Sequence, residues 1–160
     1  MNSRPPHVAV IGPTEAGARE LAAAEEVGRL LAERGVVVVC GGRGGAMEAA
    51  CRGAKSAGGT TVGILAGSAR EDANPYVDIP VATGMGEVRN AIVVSTADVL
   101  IAVAGAYGTL SEIALGLRDG KTVVGLHTWE LSRDGKLDTG IVRAGSPAEA
   151  VELALAVVRA

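Results

Sequence analysis

Short runs of β-branched and aliphatic residues alternate along this chain with longer segments rich in Ala, Leu and Glu. The runs HVAVI and VVVVC are each followed directly by a glycine, and the segments after these glycines carry apolar residues at helical spacing. Strands that are apolar throughout and separated by helices are typical of a parallel sheet covered on both faces. The pattern therefore predicts a doubly wound α/β domain with about six or seven strands.

The same pattern gives approximate bounds for each element over a single domain of 160 residues. The polar stretch 129–140 is predicted to be a loop. The predicted strands are 7–11, 36–40, 60–65, 77–81, 99–104, 122–127 and 141–143, and the predicted helices are 14–34, 44–57, 87–96, 109–117 and 147 to the C-terminus.

Glycines cluster where the predicted strands end, and two of these turns suit an anion. Each turn is followed by a predicted helix, whose free N–H groups and positive dipole end would point at a ligand. Two such loops on one sheet edge favour a phosphate-bearing ligand, although tight strand–helix turns alone would also explain them. The candidate phosphate- or nucleotide-binding residues are Gly12, Gly41, Gly42, Arg43, Gly44, Gly45, Met47, Gly105, Ala106, Tyr107, Gly108 and Thr109.

Two charged residues are candidates for chemistry at this edge. Glu112 follows Thr109 by three residues, which fits a structural capping box, but it also lies in the first turn beside the second loop. Arg89 lies at the start of a predicted helix, where a cation opposes the dipole, so an anionic ligand or a carboxylate across the crevice would compensate it. A helix cap and a solvated arginine remain the alternatives.

Composition narrows the function classes. The formal net charge is −3, and the chain has one Trp, two Tyr and no Phe, so neither electrostatics nor base stacking predicts a nucleic-acid partner. No Cys or His spacing suggests a metal, and no segment suggests a signal peptide or a membrane span. We therefore expect a cytoplasmic protein without a metal or a required cofactor, with Cys40 and Cys51 as buried thiols.

Three segments carry a family resemblance. GAYGTLSE at 105–112 resembles the PGGxGTxxE signature of the lonely guy (LOG) family, GMGEVRN at 84–90 resembles its Arg-Lys segment, and GGRGGAME at 41–48 resembles its early glycine-rich loop. The longer segments GGRGGAMEAACRGA and YGTLSEIAL are more similar to a sister group that contains the molybdenum cofactor carrier proteins. The resemblance implies a Rossmann-like fold and either of two functions.

The first implied function is hydrolysis of the N-glycosidic bond of a nucleoside 5′-monophosphate, with Arg89 and Glu112 as the catalytic pair. The second is a carrier that binds a nucleotide, phosphate or molybdopterin without turnover. The chain departs from the signature at Ala104, Ala106 and Asn90, where the family pattern has Pro, Gly and Lys. We expect a homo-oligomer, a dimer or tetramer, with the apolar stretch 91–94 partly facing the partner.

Overall fold

The computed structural model describes residues 4–158, which form a layered α/β structure. Two single turns of 3-10 helix, Arg70–Asp72 and Gly86–Arg89, supplement the regular elements. The strands are β1 His7–Ile11, β2 Val37–Cys40, β3 Thr61–Leu65, β4 Ile79–Ala82, β5 Val99–Val103, β6 Val123–Leu126, β7 Leu131–Arg133, β8 Lys136–Asp138 and β9 Ile141–Arg143. The helices are α1 Ala18–Glu33, α2 Ala46–Ser56, α3 Asn90–Thr96, α4 Tyr107–Arg118 and α5 Pro147–Val158.

The main sheet has seven strands in the order β4-β3-β2-β1-β5-β6-β9, and every pairing in it is parallel. This confirms the predicted Rossmann-like, doubly wound class. The order reverses between β1 and β5. Such a reversal opens a crevice at the carboxyl ends of the strands, where α/β proteins bind ligands.

Each face of the sheet has its own apolar core. On one face α1, α2 and α5 pack over side chains such as Val8, Val38 and Ile101. On the other face α3 and α4 pack over Ala9, Leu100 and their neighbours. Because the chain lacks Phe, these layers are built from aliphatic side chains and alanines that fit close together.

The second face is only partly covered. Val62 and Ile64 of β3 belong to its core, and their register partners in β4, Ile79 and Val81, point the same way. Ile79 is 51% exposed and Val81 is 38% exposed. The edge of the sheet therefore presents an apolar surface.

Several predicted bounds were wrong, each for a local reason. Predicted helix 14–34 begins at Ala18, and predicted helix 87–96 is a 3-10 turn followed by the short α3. The predicted loop 129–140 contains the β7–β8 hairpin, whose turn residues Asp134 and Gly135 both have positive φ. The Asp-Gly pair favours this mirror-image turn, so the sequence did contain the signal.

The last predicted helix is confirmed over Pro147–Val158, and side chains cap its first turn. Glu149 N–H donates to Ser146 Oγ at 3.2 Å, and Gly145 N–H donates to the Glu149 carboxylate at 2.7 Å. No helix in the described part of the chain is long and apolar enough to cross a membrane.

Candidate functional site

A cleft of about 150 Å³ opens at the carboxyl edge of the sheet, over the point where the strand order reverses. This is smaller than a pocket that encloses a whole drug-sized ligand, which has roughly 300–1,000 Å³. A cleft of this volume has room for a small group or for one end of a larger molecule. The residues around it are Gly12, Pro13, Thr14, Arg43, Met47, Glu87, Arg89, Asn90, Ala106, Gly108, Thr109 and Glu112.

The first glycine-rich loop is packed tightly against the turn after β1. Ala46 N–H donates to the Pro13 carbonyl at 3.0 Å, so this first N–H of α2 is already paired within the protein. Gly45 has φ +63°, and a Cβ there would overlap the carbonyls of Pro13 and Thr14. The loop therefore contributes Arg43 and Met47 to the cleft and otherwise serves as a rigid wall.

The N-terminus of α4 faces the cleft more openly. The helix begins at Tyr107, two residues earlier than predicted, with Ala106 as an N-cap that makes no side-chain cap. Leu110 N–H is the first to bond back, to Ala106, so the three preceding N–H groups have no partner inside the helix. Ala106, Gly108 and Thr109 border the cleft. This helix end therefore presents free N–H groups and a positive dipole end to the cleft, an arrangement that favours an anion.

The capping-box interpretation of Thr109 and Glu112 was wrong. Both side chains lie inside α4 and are buried, at 3% and 7% exposure. Thr109 Oγ1 has no hydrogen-bond partner within the described residues. Because α4 begins before Thr109, neither side chain is placed to cap it, and both are free for a ligand.

Arg89 is buried rather than solvated, with 4% of its surface exposed. It closes the 3-10 turn before α3, and its guanidinium lies directly against Gly41, where a Cβ would overlap Nη1. Its Nε is buried without a partner among residues 4–158. A buried cation with an unpaired N–H costs free energy that an anionic ligand would offset.

Glu112 shares this environment. Burial raises the pKa of its carboxyl to about 8, Arg89 opposes that shift, and Glu87 adds to it. The carboxyl is therefore mostly protonated at neutral pH in the ligand-free protein. It can donate a hydrogen bond to a ligand oxygen or give a proton to a leaving group.

The mouth of the cleft carries one exposed ion pair, between Arg43 Nη2 and Glu87 Oε1 at 3.2 Å. Asn90, at the position where the LOG segment has Lys, is buried and donates from Nδ2 to Ser111 Oγ at 2.8 Å. The second cation of that segment is thus replaced here by a neutral amide held by α4.

The loop after β5 departs from the LOG-type signature in its backbone. Ala106 has φ −122°, an extended conformation that its Cβ allows without strain although the signature has Gly at this position. Ala104 instead has φ +56°. Proline, which occupies this position in the signature, has φ fixed near −65° and cannot adopt that conformation. The loop therefore follows a different path from one that begins with proline.

The cleft collects most of the residues that the sequence suggested. Those that border it are Gly12, Arg43, Met47, Arg89, Ala106, Gly108, Thr109 and Glu112. Gly41, Gly42, Gly44 and Gly45 shape the loop behind it without lining it. Gly105 borders a neighbouring cleft with His127 and Trp129, and Tyr107 is 82% exposed against the Trp129 ring at 5.7 Å.

Sequence reasoning missed four residues that border the cleft. Pro13 and Thr14 were assigned to a turn and to a helix start, and Glu87 and Asn90 were treated only as neighbours of Arg89. The position of Pro13 and Thr14 just after the strand-ending Gly12 was the available signal, since such turns lie at the ligand-binding edge.

Comparison with known proteins agrees with this geometry. A model of the SLOG cluster4 family matches residues 5–151, and the chain belongs to that family. The molybdenum cofactor binding protein of the phototrophic bacterium Rippkaea orientalis is 35% identical, with a TM-score of 0.89 over 98% of this chain and 99% of that one.

Two further relatives are described with different functions. The molybdenum cofactor carrier protein of Chlamydomonas reinhardtii is 32% identical, with a TM-score of 0.85 over 98% of this chain and 100% of the other. A cytokinin riboside 5′-monophosphate phosphoribohydrolase of Mycobacterium tuberculosis is 35% identical, over 81% of this chain and 76% of the relative.

Proposed function

We propose that this protein binds a phosphorylated small molecule at the cleft and acts as a carrier of a phosphorylated pterin or nucleotide. The observation that carries the proposal is the set of unpaired polar groups in the cleft. Arg89 Nε and Thr109 Oγ1 are buried without partners, and the free N–H groups of α4 lie beside Thr109. Buried donors are normally paired, so this arrangement is built for an anion that brings acceptors.

Carriage is favoured over turnover by two features of the site. The segment that resembles the LOG Arg-Lys pair has a neutral Asn90 tied to Ser111 in place of the second cation. The loop at Ala104 cannot follow the path of a proline-containing signature. The similarity to molybdenum cofactor binding and carrier proteins over nearly the whole chain supports the same conclusion.

A phosphoribohydrolase is the second candidate, and the pairing of Arg89 and Glu112 in one cleft favours it. Cleavage of an N-glycosidic bond leaves positive charge on the sugar and negative charge on the base. The protonated Glu112 would give its proton to the departing base, and the carboxylate left behind would stabilise the sugar cation. Water would then add to C1′ of the sugar, and its released proton would return to the Glu112 carboxylate, which leaves ribose 5-phosphate and the free base. Arg89 would hold the 5′-phosphate.

One experiment separates the two functions. Binding of adenosine 5′-monophosphate, ribose 5-phosphate and inorganic phosphate is measured by calorimetry, and free-base release from a panel of nucleoside 5′-monophosphates is measured in parallel. The carrier predicts binding without base release by wild type or Glu112→Gln. The hydrolase predicts release that Glu112→Gln abolishes.

Matched variants test whether the cleft is the site. Arg89→Gln should abolish phosphate binding, whereas Arg70→Gln, an exposed arginine in the other 3-10 turn, should leave it unchanged. Equal binding by both variants and wild type would remove the cleft from consideration.

We also propose that the protein is a homo-oligomer, assembled through the exposed apolar surface at the β4 side of the sheet. Besides Ile79 and Val81, Val88 is 66% exposed, and it borders an apolar groove between α3 and α4. Exposed apolar surfaces of this kind often mark interfaces, and a second copy of the chain would cover them.

Of the stretch 91–94, Val93 and Val94 are buried in the subunit's own core, so Ala91 and Ile92 are the residues near this surface. Val88→Asp should dissociate the oligomer, as measured by light scattering. A monomeric mass for wild type at micromolar concentration would refute the proposal.

We place the protein in the cytoplasm, which its two free, buried thiols support.

A further inference from the structure

The two cysteines of the sequence meet directly behind the first glycine-rich loop. Cys40 ends β2 and Cys51 lies on α2, and their Sγ atoms are 3.5 Å apart. Both side chains are fully buried and both thiols are free. The contact therefore places two reducing groups within van der Waals distance of one another.

Their surroundings give the two thiols different roles. A hydrogen bond from the Cys51 thiol, a second from Gly42 N–H at 3.2 Å and the charge of Arg89 together lower the pKa of Cys40, against its burial and the nearby Glu112. The shared hydrogen bond and burial raise the pKa of Cys51. The Gly42 N–H that points at Cys40 Sγ would stabilise a thiolate there, so we assign Cys40 as the nucleophile and Cys51 as the thiol that keeps its proton.

Met47 connects this pair to the cleft. Its side chain packs with Cys40 and Cys51 in one small cluster, and the same side chain borders the cleft. Met47 thus belongs both to the thiol cluster and to the cleft lining. Methionine adapts its shape more readily than a branched side chain.

We propose that Cys40 and Cys51 form a redox modification site, where hydrogen peroxide that enters through the cleft oxidises the pair to an intramolecular disulfide. The Cys40 thiolate attacks one peroxide oxygen and the O–O bond breaks, which leaves a sulfenic acid on Cys40 and releases hydroxide. The Cys51 sulfur then attacks the Cys40 sulfur, and the S–O bond breaks. The hydroxyl group leaves as water with the Cys51 proton, and peroxide has accepted two electrons.

The disulfide changes the loop that holds Arg89. A bond of about 2 Å between the sulfurs draws Cys40 Sγ towards α2 and weakens its hydrogen bond from Gly42. Gly42 adjoins Gly41, against which the Arg89 guanidinium packs. This consequence rests on the proposed function: oxidation should weaken phosphate binding about fivefold, the equivalent of one hydrogen bond.

The test treats the folded protein with hydrogen peroxide and then denatures it in a thiol-alkylating reagent for intact mass spectrometry. Peroxide-treated wild type should be lighter by two hydrogens and should take up no alkyl groups. If the oxidised protein is reduced before alkylation, it should take up two alkyl groups. In Cys51→Ser, Cys40 should gain oxygen, whereas Cys51 in Cys40→Ser should stay reduced. Saturating inorganic phosphate should slow oxidation of wild type by filling the cleft.

Each outcome decides one part of the proposal. Two alkylated thiols in peroxide-treated wild type, or equal oxidation of the two single variants, overturns the site. A disulfide that leaves phosphate affinity unchanged overturns its coupling to the loop. If the disulfide forms while the reduced protein binds no phosphate, the modification site stands and the proposed function fails.

Discussion

Replacing Glu112 by glutamine tests the most unusual group in the cleft. The amide keeps the size of the protonated carboxyl and cannot ionise. In wild type, burial raises the pKa of Glu112 from 4.5 to about 8. The folded protein therefore holds a proton that the unfolded chain releases at much lower pH.

The sign of the effect follows from this difference. Below pH 4.5 the carboxyl is protonated in both states, and the fold carries no ionisation cost. As pH rises from 4.5 to 8 the unfolded chain gains stability by losing the proton, so the folded state loses stability, and above pH 8 the loss is complete. Each pKa unit of difference between the folded and unfolded states corresponds to about 1.4 kcal/mol, so the free energy of unfolding falls by about 5 kcal/mol in total.

Urea unfolding followed by fluorescence gives the required free energies, because Trp129 is the sole tryptophan of the sequence. Between pH 5 and pH 8 the free energy of unfolding of wild type should fall by about 3 to 4 kcal/mol relative to Glu112→Gln. Every other titrating group is common to both proteins and cancels in the comparison. Glu71→Gln, which alters an exposed carboxylate, should follow wild type.

The reasoning fails if wild type and Glu112→Gln keep the same stability difference at every pH. Such a result would mean that Glu112 ionises in the fold as readily as in water. Water or a rearranged Arg89 would then have to solvate it, and its roles as hydrogen-bond donor and proton source at neutral pH would be lost.

Three further substitutions probe the cleft and its loops. Gly41→Ala should displace Arg89 and weaken phosphate binding about tenfold in calorimetry, as an added Cβ overlaps the guanidinium; unchanged affinity would separate the loop from Arg89. Thr109→Val should leave the free energy of unfolding in urea equal or higher, by up to about 1 kcal/mol, while phosphate affinity falls, since the hydroxyl has no partner among residues 4–158; a clear loss of stability would contradict its assignment to the ligand. Because Ala104 has a positive φ, Ala104→Pro should lower the free energy of unfolding by about 3 kcal/mol and Ala104→Gly should raise it by about 1 kcal/mol. The opposite order of stabilities would show that φ of residue 104 is not positive.

Most of the sheet could be predicted from the sequence because its strands are buried on both sides and are apolar throughout. The turn of the β7–β8 hairpin at Asp134 and Gly135 was overlooked because its strands are short, polar and exposed, so hydrophobicity carries no signal there. Its turn chemistry was the better indicator.

The sequence indicated which residues belong to the site, but it did not indicate whether their side chains face the cleft. Strand-ending glycines placed Arg43, Thr109 and Glu112 near one edge, as the structure has them. The spacing of Thr109 and Glu112 fits a cap as well as a ligand contact, and the two cases differ only in where α4 begins. The first residue of α4 depends on the path of the chain from the end of β5 to Ala106, which is set by the tertiary structure of this loop.

The 3-10 turn at Gly86–Arg89 joins two surfaces of opposite character. Val88 projects into the exposed apolar surface, and its neighbour Arg89 is buried in the cleft. A partner that immobilises Val88 would also fix Arg89, so assembly and ligand binding would be thermodynamically linked. Ligand affinity should then increase with protein concentration, and added ligand should draw dilute subunits together, with each process reporting on the other.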